Sequence, residues 1–157
     1  MMDTLTKELY EEVTNLLHDM GTPAHIKGHY YLRSAILEVY AHPELLKNMM
    51  NGLYATIAEA YDTTPSCVER SIRNAVEATL DRGDVDFLYS VFRNTISKNK
   101  GKPTNREFIM MVVDVLRVRH DVACFVLLAE CMAAVRDALL QRSSECTVSC
   151  FCNASPL

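Results

Sequence analysis

Glycine and proline are scarce, five of each in 157 residues. That excludes collagenous and low-complexity chains, leaves few turns, and points toward helix. No apolar stretch reaches the roughly 18 residues that a membrane span requires. The first residues, MMDTLTKELYEEV, lack the basic and apolar regions of a signal peptide. The chain is therefore expected in the cytoplasm, with its six cysteines reduced. Neither a nucleophile–base pair, nor paired carboxylates, nor a Gly-rich phosphate loop is present, so neither an enzyme nor a cofactor is expected. Positive charge is also short. The net charge is -4 and the pI about 5.7, which taken as a whole argues against nucleic acid. Its distribution does not. Residues 1–20 carry one basic and five acidic groups, whereas residues 81–120 carry eight basic against five acidic, a locally basic stretch inside an acidic chain.

The remaining composition, 49% hydrophobic and 23% charged, is that of a globular chain long enough for one domain with an appendage. Apolar spacings of three and four place a first helix from about Asp3 or Thr4 through Met20, ended by Gly21 and Pro23. A central second helix is expected from about Ala24 to Ala41. Pro43 suits the first turn of a short third helix, and Asn51-Gly52 breaks the run. Leu53–Tyr61 reads as a short helix, Asp62-Thr63-Thr64 as a tight turn, and Pro65 to about Leu80 as a longer helix capped by Thr64. That order is a helix-turn-helix over residues 53–80. Beyond a short helix around Phe87–Phe92 and the lysine-rich loop NTISKNKGKP, Thr104 and Glu107 form a T-x-x-E capping box for another helix. The fold class expected is all-α.

On the second helix of the helix-turn-helix, Val68, Ile72, Ala75, Val76 and Leu80 make one apolar face. Ser66, Glu69, Arg70, Arg73 and Glu77 make the opposite one. A major groove about 12 Å wide admits one helix, and outward side chains then meet base edges. Arg70 and Arg73 can each fork onto guanine O6 and N7, and Glu69 can accept from a cytosine amino group, so a G/C-containing site is expected. The same face reads equally as a solvated surface on which Glu69 pairs with Arg73 at i,i+4. Asp62 occupies a turn position often held by glycine.

The stretches GTPAHIKGHYYLRSAI (21–36), DTTPSCVERSIRNAVEATLDRGD (62–84) and KPTNREFIMMVVDVLR (102–117) closely resemble the C-terminal DNA-binding domain of the stage zero sporulation protein A family. The resemblance covers roughly residues 5–120. It implies an all-helical effector domain that puts the VER-x-IR helix in the major groove of a short G/C-centred box and regulates transcription. By matching position it makes Glu69, Arg70 and Arg73 base readers. His25 and Lys27 of the HIKG motif, and Lys98 and Lys102 of the basic loop, are then phosphate contacts, and Ser66 is expected as a further DNA contact. Phe92 falls in the segment that the resemblance implicates in touching the RNA polymerase sigma subunit. The implied partners are double-stranded DNA and the sigma subunit.

No counterpart of the family's receiver domain is expected before the first helix, and residues 121–157 extend past the family's usual end. Within them, residues 122–135 are apolar except for Glu130. Too short to span a bilayer, this helix is expected either to join two copies in a homodimer, in place of a receiver, or to fold back on its own domain. The domain is thus read as 1–120, an apolar helix as 121–142, and a disordered, cysteine-containing tail from residue 143. His25 and His29 have metal-ligand spacing but no third ligand. They are read as a partly exposed polar pair, and the cysteines at 146, 150 and 152 as incidental rather than a metal site. A second functional class stays open: an interaction module of the same fold that binds the sigma subunit or antagonises a full-length regulator without reading DNA.

Overall fold

A computed structural model describes the backbone of residues 4–93 and 102–150 and the side chains of residues 6–93 and 102–136. Among the described residues every regular element is helical. The elements are α1 (Thr4–Asp19), α2 (Lys27–Ala41), a 3₁₀ turn (Pro43–Lys47), a π turn (Met49–Leu53), α3 (Tyr54–Ala60), α4 (Pro65–Arg82), α5 (Val85–Phe92) and α6 (Asn105–Cys150). The chain divides into two compact units, Met1–Arg117 and Val118–Leu157.

The first unit is built around one core. Leu16 and Leu17 of α1, Leu32 and Ile36 of α2, Ile57 of α3, Ile72 of α4, Phe92 of α5 and Phe108, Val112 and Leu116 of α6 are all buried. α2 packs on α1 and most extensively on α4, which makes it the central helix the sequence suggests. That crossing is close because Gly28 sits where any side chain would meet Ser71 and Ala75 of α4. α2 begins at Lys27 rather than near Ala24; Ile26 is its extended N-cap residue, with no side-chain cap. The short third helix is a 3₁₀ turn with Pro43 at its start, a tight geometry suited to five residues.

Two helix ends explain how the chain turns. After α1, Gly21 at φ +81° lets its N–H reach the His18 carbonyl (2.9 Å) while Thr22 N–H reaches that of Leu17 (2.9 Å), a Schellman closure. After α3 the same pattern recurs with Asp62 at φ +49° in the glycine's place. Asp62 N–H bonds to the Glu59 carbonyl (3.4 Å) and Thr63 N–H to that of Ala58 (2.9 Å). A short polar side chain is one of the few that tolerate this left-handed backbone.

α6 is continuous from Asn105 through Cys150. It runs past residue 143, where the sequence pattern suggests a disordered tail. Nothing between Asn105 and Cys150 is Gly or Pro, so no residue stops the helix. Cys152 lies outside the described residues, as do the side chains of the cysteines at 146 and 150. Among the described residues no helix is long and apolar enough to cross a membrane.

Candidate nucleic-acid interface

α4 is positioned from its start and from behind. At its start the Thr64 hydroxyl accepts from Cys67 N–H (3.3 Å), and Pro65 fills the first helical position, where a missing N–H costs nothing. Behind it, Val68, Ile72, Ala75, Val76 and Thr79 are buried. Thr79, not Leu80, completes this face. Its hydroxyl bonds to the Ala75 carbonyl (2.8 Å) and to the Thr22 hydroxyl (2.8 Å), so the polar group is satisfied in the core. Leu80 is only half-buried.

The outward face carries Ser66, Arg70, Arg73 and Glu77 exposed, with Glu69 half-buried. Arg73 donates to the Glu69 carboxylate, forming the i,i+4 ion pair, with 61% of the arginine side chain and 24% of the glutamate side chain accessible. Glu69 is therefore the most confined of the three expected base readers and Arg73 is already partnered, whereas Arg70 is open to solvent. A groove of about 550 Å³ runs beside α4 and brings together Ser66, Glu69, Arg73 and Lys102 with Asn105 and Arg106. Lys102 is exposed but its Nζ donates to Asp81 at 2.8 Å, and this bond raises its pKa. His25 and Lys27 are both exposed, at and just before the start of α2, and neither lines the groove. Lys98 lies outside the described residues.

Sequence reasoning passed over Asn105. The Thr104–Glu107 capping box forms reciprocally, Thr104 N–H on the carboxylate (2.8 Å) and Glu107 N–H on the hydroxyl (3.3 Å), and so fixes the first turn of α6. From that turn Asn105 Nδ2 donates to the Glu69 backbone carbonyl (3.1 Å) and to the Tyr54 hydroxyl (3.2 Å). A carbonyl only accepts, so the amide must face α4 with its nitrogen. One side chain thus ties α6 to both helices of the helix-turn-helix. Burial raises the pKa of the Tyr54 hydroxyl, with Asn105 opposing. A polar residue just after a capping threonine was the available signal.

Two expectations are corrected. Phe92 is 0% exposed and its ring lies 5.0 Å from that of Phe108, so it is a core residue and does not present itself to a polymerase subunit. Its size and spacing on an amphipathic helix place it inside; Val85, Asp86, Tyr89 and Ser90 are the exposed side chains of α5. His29 is not partly exposed but buried. It stacks on His18 (5.4 Å), its Nδ1 has no hydrogen-bond partner, and burial, then Arg33 and His18, lower its pKa. Among the described residues no group of three or more ligand-type side chains is placed to hold a metal.

A family model described as the sporulation initiation factor Spo0A C terminal matches residues 13–116, well over half of the chain. That family is one of DNA-binding domains that regulate transcription in sporulation, and is not an enzyme family.

Proposed function

We propose, because the chain belongs to the Spo0A C-terminal family and is therefore a DNA-binding regulatory domain, that it reads a short G/C-containing box by placing α4 in the major groove. The observation that carries this is the exposed face of an 18-residue helix delivered by a tight turn, with Arg70 open and Arg73 held over Glu69. Arg70 and Arg73 donate to guanines and Glu69 accepts from a cytosine amino group. Ser66, His25, Lys27, Lys98 and Lys102 contact the phosphodiester backbone, so Lys102 exchanges Asp81 for phosphate. Two copies joined through residues 122–135 occupy adjacent half-sites, because one negatively charged protomer with few phosphate contacts binds weakly. The exposed side chains of α5, with Tyr89 in place of Phe92, form the surface offered to the polymerase sigma subunit. The protein works in the cytoplasm.

Titration of the purified chain against duplexes with and without the family's G/C-centred box, across a salt series, tests this reading. Arg73→Ala is expected to cost about 1–3 kcal/mol on the box and to relax its specificity. Equal affinity of the unaltered chain for both duplexes refutes it, and greater sensitivity at Tyr89 than at Arg73 would favour the interaction module instead.

A further inference from the structure

The second unit presents an apolar surface with a definite geometry. Val118, Val122, Phe125, Leu128, Met132 and Val135 are each between 54% and 77% exposed. At about 100° per residue they fall within one face spanning roughly 140° of the helix. Away from it lie Ala123, Cys124, Glu130, Cys131 and Ala134, small or polar side chains, together with the exposed Val126 and Leu127. The six offer on the order of 600 Å² of apolar surface, near the roughly 800 Å² that each partner contributes to a standard interface.

A seam along one side of that face is Val118, Val122, Phe125, Ala129, Met132 and Arg136, at steps of four, three, four, three and four, with Leu128 and Val135 flanking it. A strict 3.5-residue spacing suits pairing with another helix of the same kind. We infer that residues 118–136 pair with the same segment of a second copy in antiparallel orientation, giving a two-fold dimer. This rests on the reading that two copies meet through residues 122–135 and adds their direction and register.

The choice of direction follows from size and charge. With the helices antiparallel and Phe125 opposite Ala129 of the second copy, Val122 faces Met132 and Val118 faces Arg136. Each layer then pairs a larger side chain with a smaller one or with a flexible stem, as close packing requires. Asp121, one turn from Val118, comes beside Arg136 of the second copy, opposite charges at both ends of the seam. With the helices parallel and in register, Phe125 would meet Phe125, Ala129 would face Ala129 across a gap, and Arg136 would face Arg136 as like charges.

The test is light-scattering mass of the full chain and three variants, each checked for helicity by circular dichroism. The unaltered chain should have twice its 17.7 kDa mass. Phe125→Lys and Ala129→Glu should each weaken dimerisation at least about 100-fold, because each buries an unpaired charge in the seam. The double variant Phe125→Lys/Ala129→Glu should recover the dimer mass, since antiparallel pairing sets each new ammonium against a new carboxylate. A monomeric unaltered chain overturns the dimer itself. Dimeric single variants overturn this face as the interface. A dimeric unaltered chain whose double variant stays monomeric overturns the antiparallel register alone. None of these outcomes depends on DNA.

Discussion

Gly28→Ala is the most discriminating perturbation of the scaffold, because helix propensity and packing predict opposite signs. Alanine is favoured over glycine by about 1 kcal/mol in a helix interior and by less at Gly28, the second residue of α2, a preference that taken alone would raise Tm. The structure predicts a fall. A Cβ on residue 28 would lie 2.9 Å from the Ala75 Cβ and well inside contact with the Ser71 carbonyl oxygen, against an ordinary carbon–carbon separation of about 3.5–4.0 Å. The carbonyl belongs to the α4 backbone and cannot rotate away, so α2 must retreat from α4 by about 1 Å. A gap of that size forfeits a quarter to a half of the dispersion contact along the tightest interface in the unit, and overpacking costs typically 1–3 kcal/mol or more. Offset by propensity, the net destabilisation is about 2 kcal/mol, a Tm lower by about 10 °C for a unit of this size. Thermal melts followed by circular dichroism at 222 nm measure it. Gly52→Ala is the control, since there the nearest side-chain atom, Leu45 Cδ2, is at an ordinary 3.6 Å. An unchanged or raised Tm for Gly28→Ala would refute the close-crossing argument.

Other expectations follow from single contacts. Asn105→Asp sets a carboxylate against the Glu69 carbonyl and should lower affinity for a box-containing duplex about tenfold while leaving binding to unrelated duplex unchanged; Tyr54→Phe, which keeps the Glu69 bond, should do less, and an equal fall on both duplexes would show that Asn105 does not position α4. Phe92→Ala should cost about 3–5 kcal/mol in urea unfolding, as a fully buried ring does, while Tyr89→Ala stays within about 0.5 kcal/mol. His29 gives a pH dependence. Its folded pKa lies below the ordinary 6.5, so below that value the unfolded chain holds more protons than the folded one. Stability should be full above about pH 6.5 and fall as the pH drops toward the folded pKa; His29→Leu should flatten the slope, and an unaltered slope would assign the effect elsewhere.

The fold was largely legible because its signals are local. The Thr64 cap, the Thr104–Glu107 box, the Gly21 stop and the 3.6-residue periodicity each act within one helical turn, and each forms as the sequence implies. Asp62, which departs from the expected glycine, proves compatible because its backbone takes the left-handed conformation itself. What escaped was set across the chain. Phe92 is buried by its contact with Phe108, sixteen residues on, and His29 by its packing with α1. The pairing of Lys102 with Asp81 and the anchoring by Asn105 join elements that periodicity treats separately. On α4 the residue types were readable, but not that Glu69 is half-enclosed while Arg70 stands open.

On the proposed reading, the Glu69–Arg73 bridge sets the terms of discrimination. A duplex that engages α4 must separate a pair of ions that already satisfy each other, so an incoming base step competes with an internal ligand rather than filling an empty seat. A step supplying an acceptor for the guanidinium but no donor for the carboxylate strands Glu69 in a half-enclosed position where water replaces its partner poorly. The two residues then behave as one detector responding to a combination of bases, and their separate contributions should fail to add.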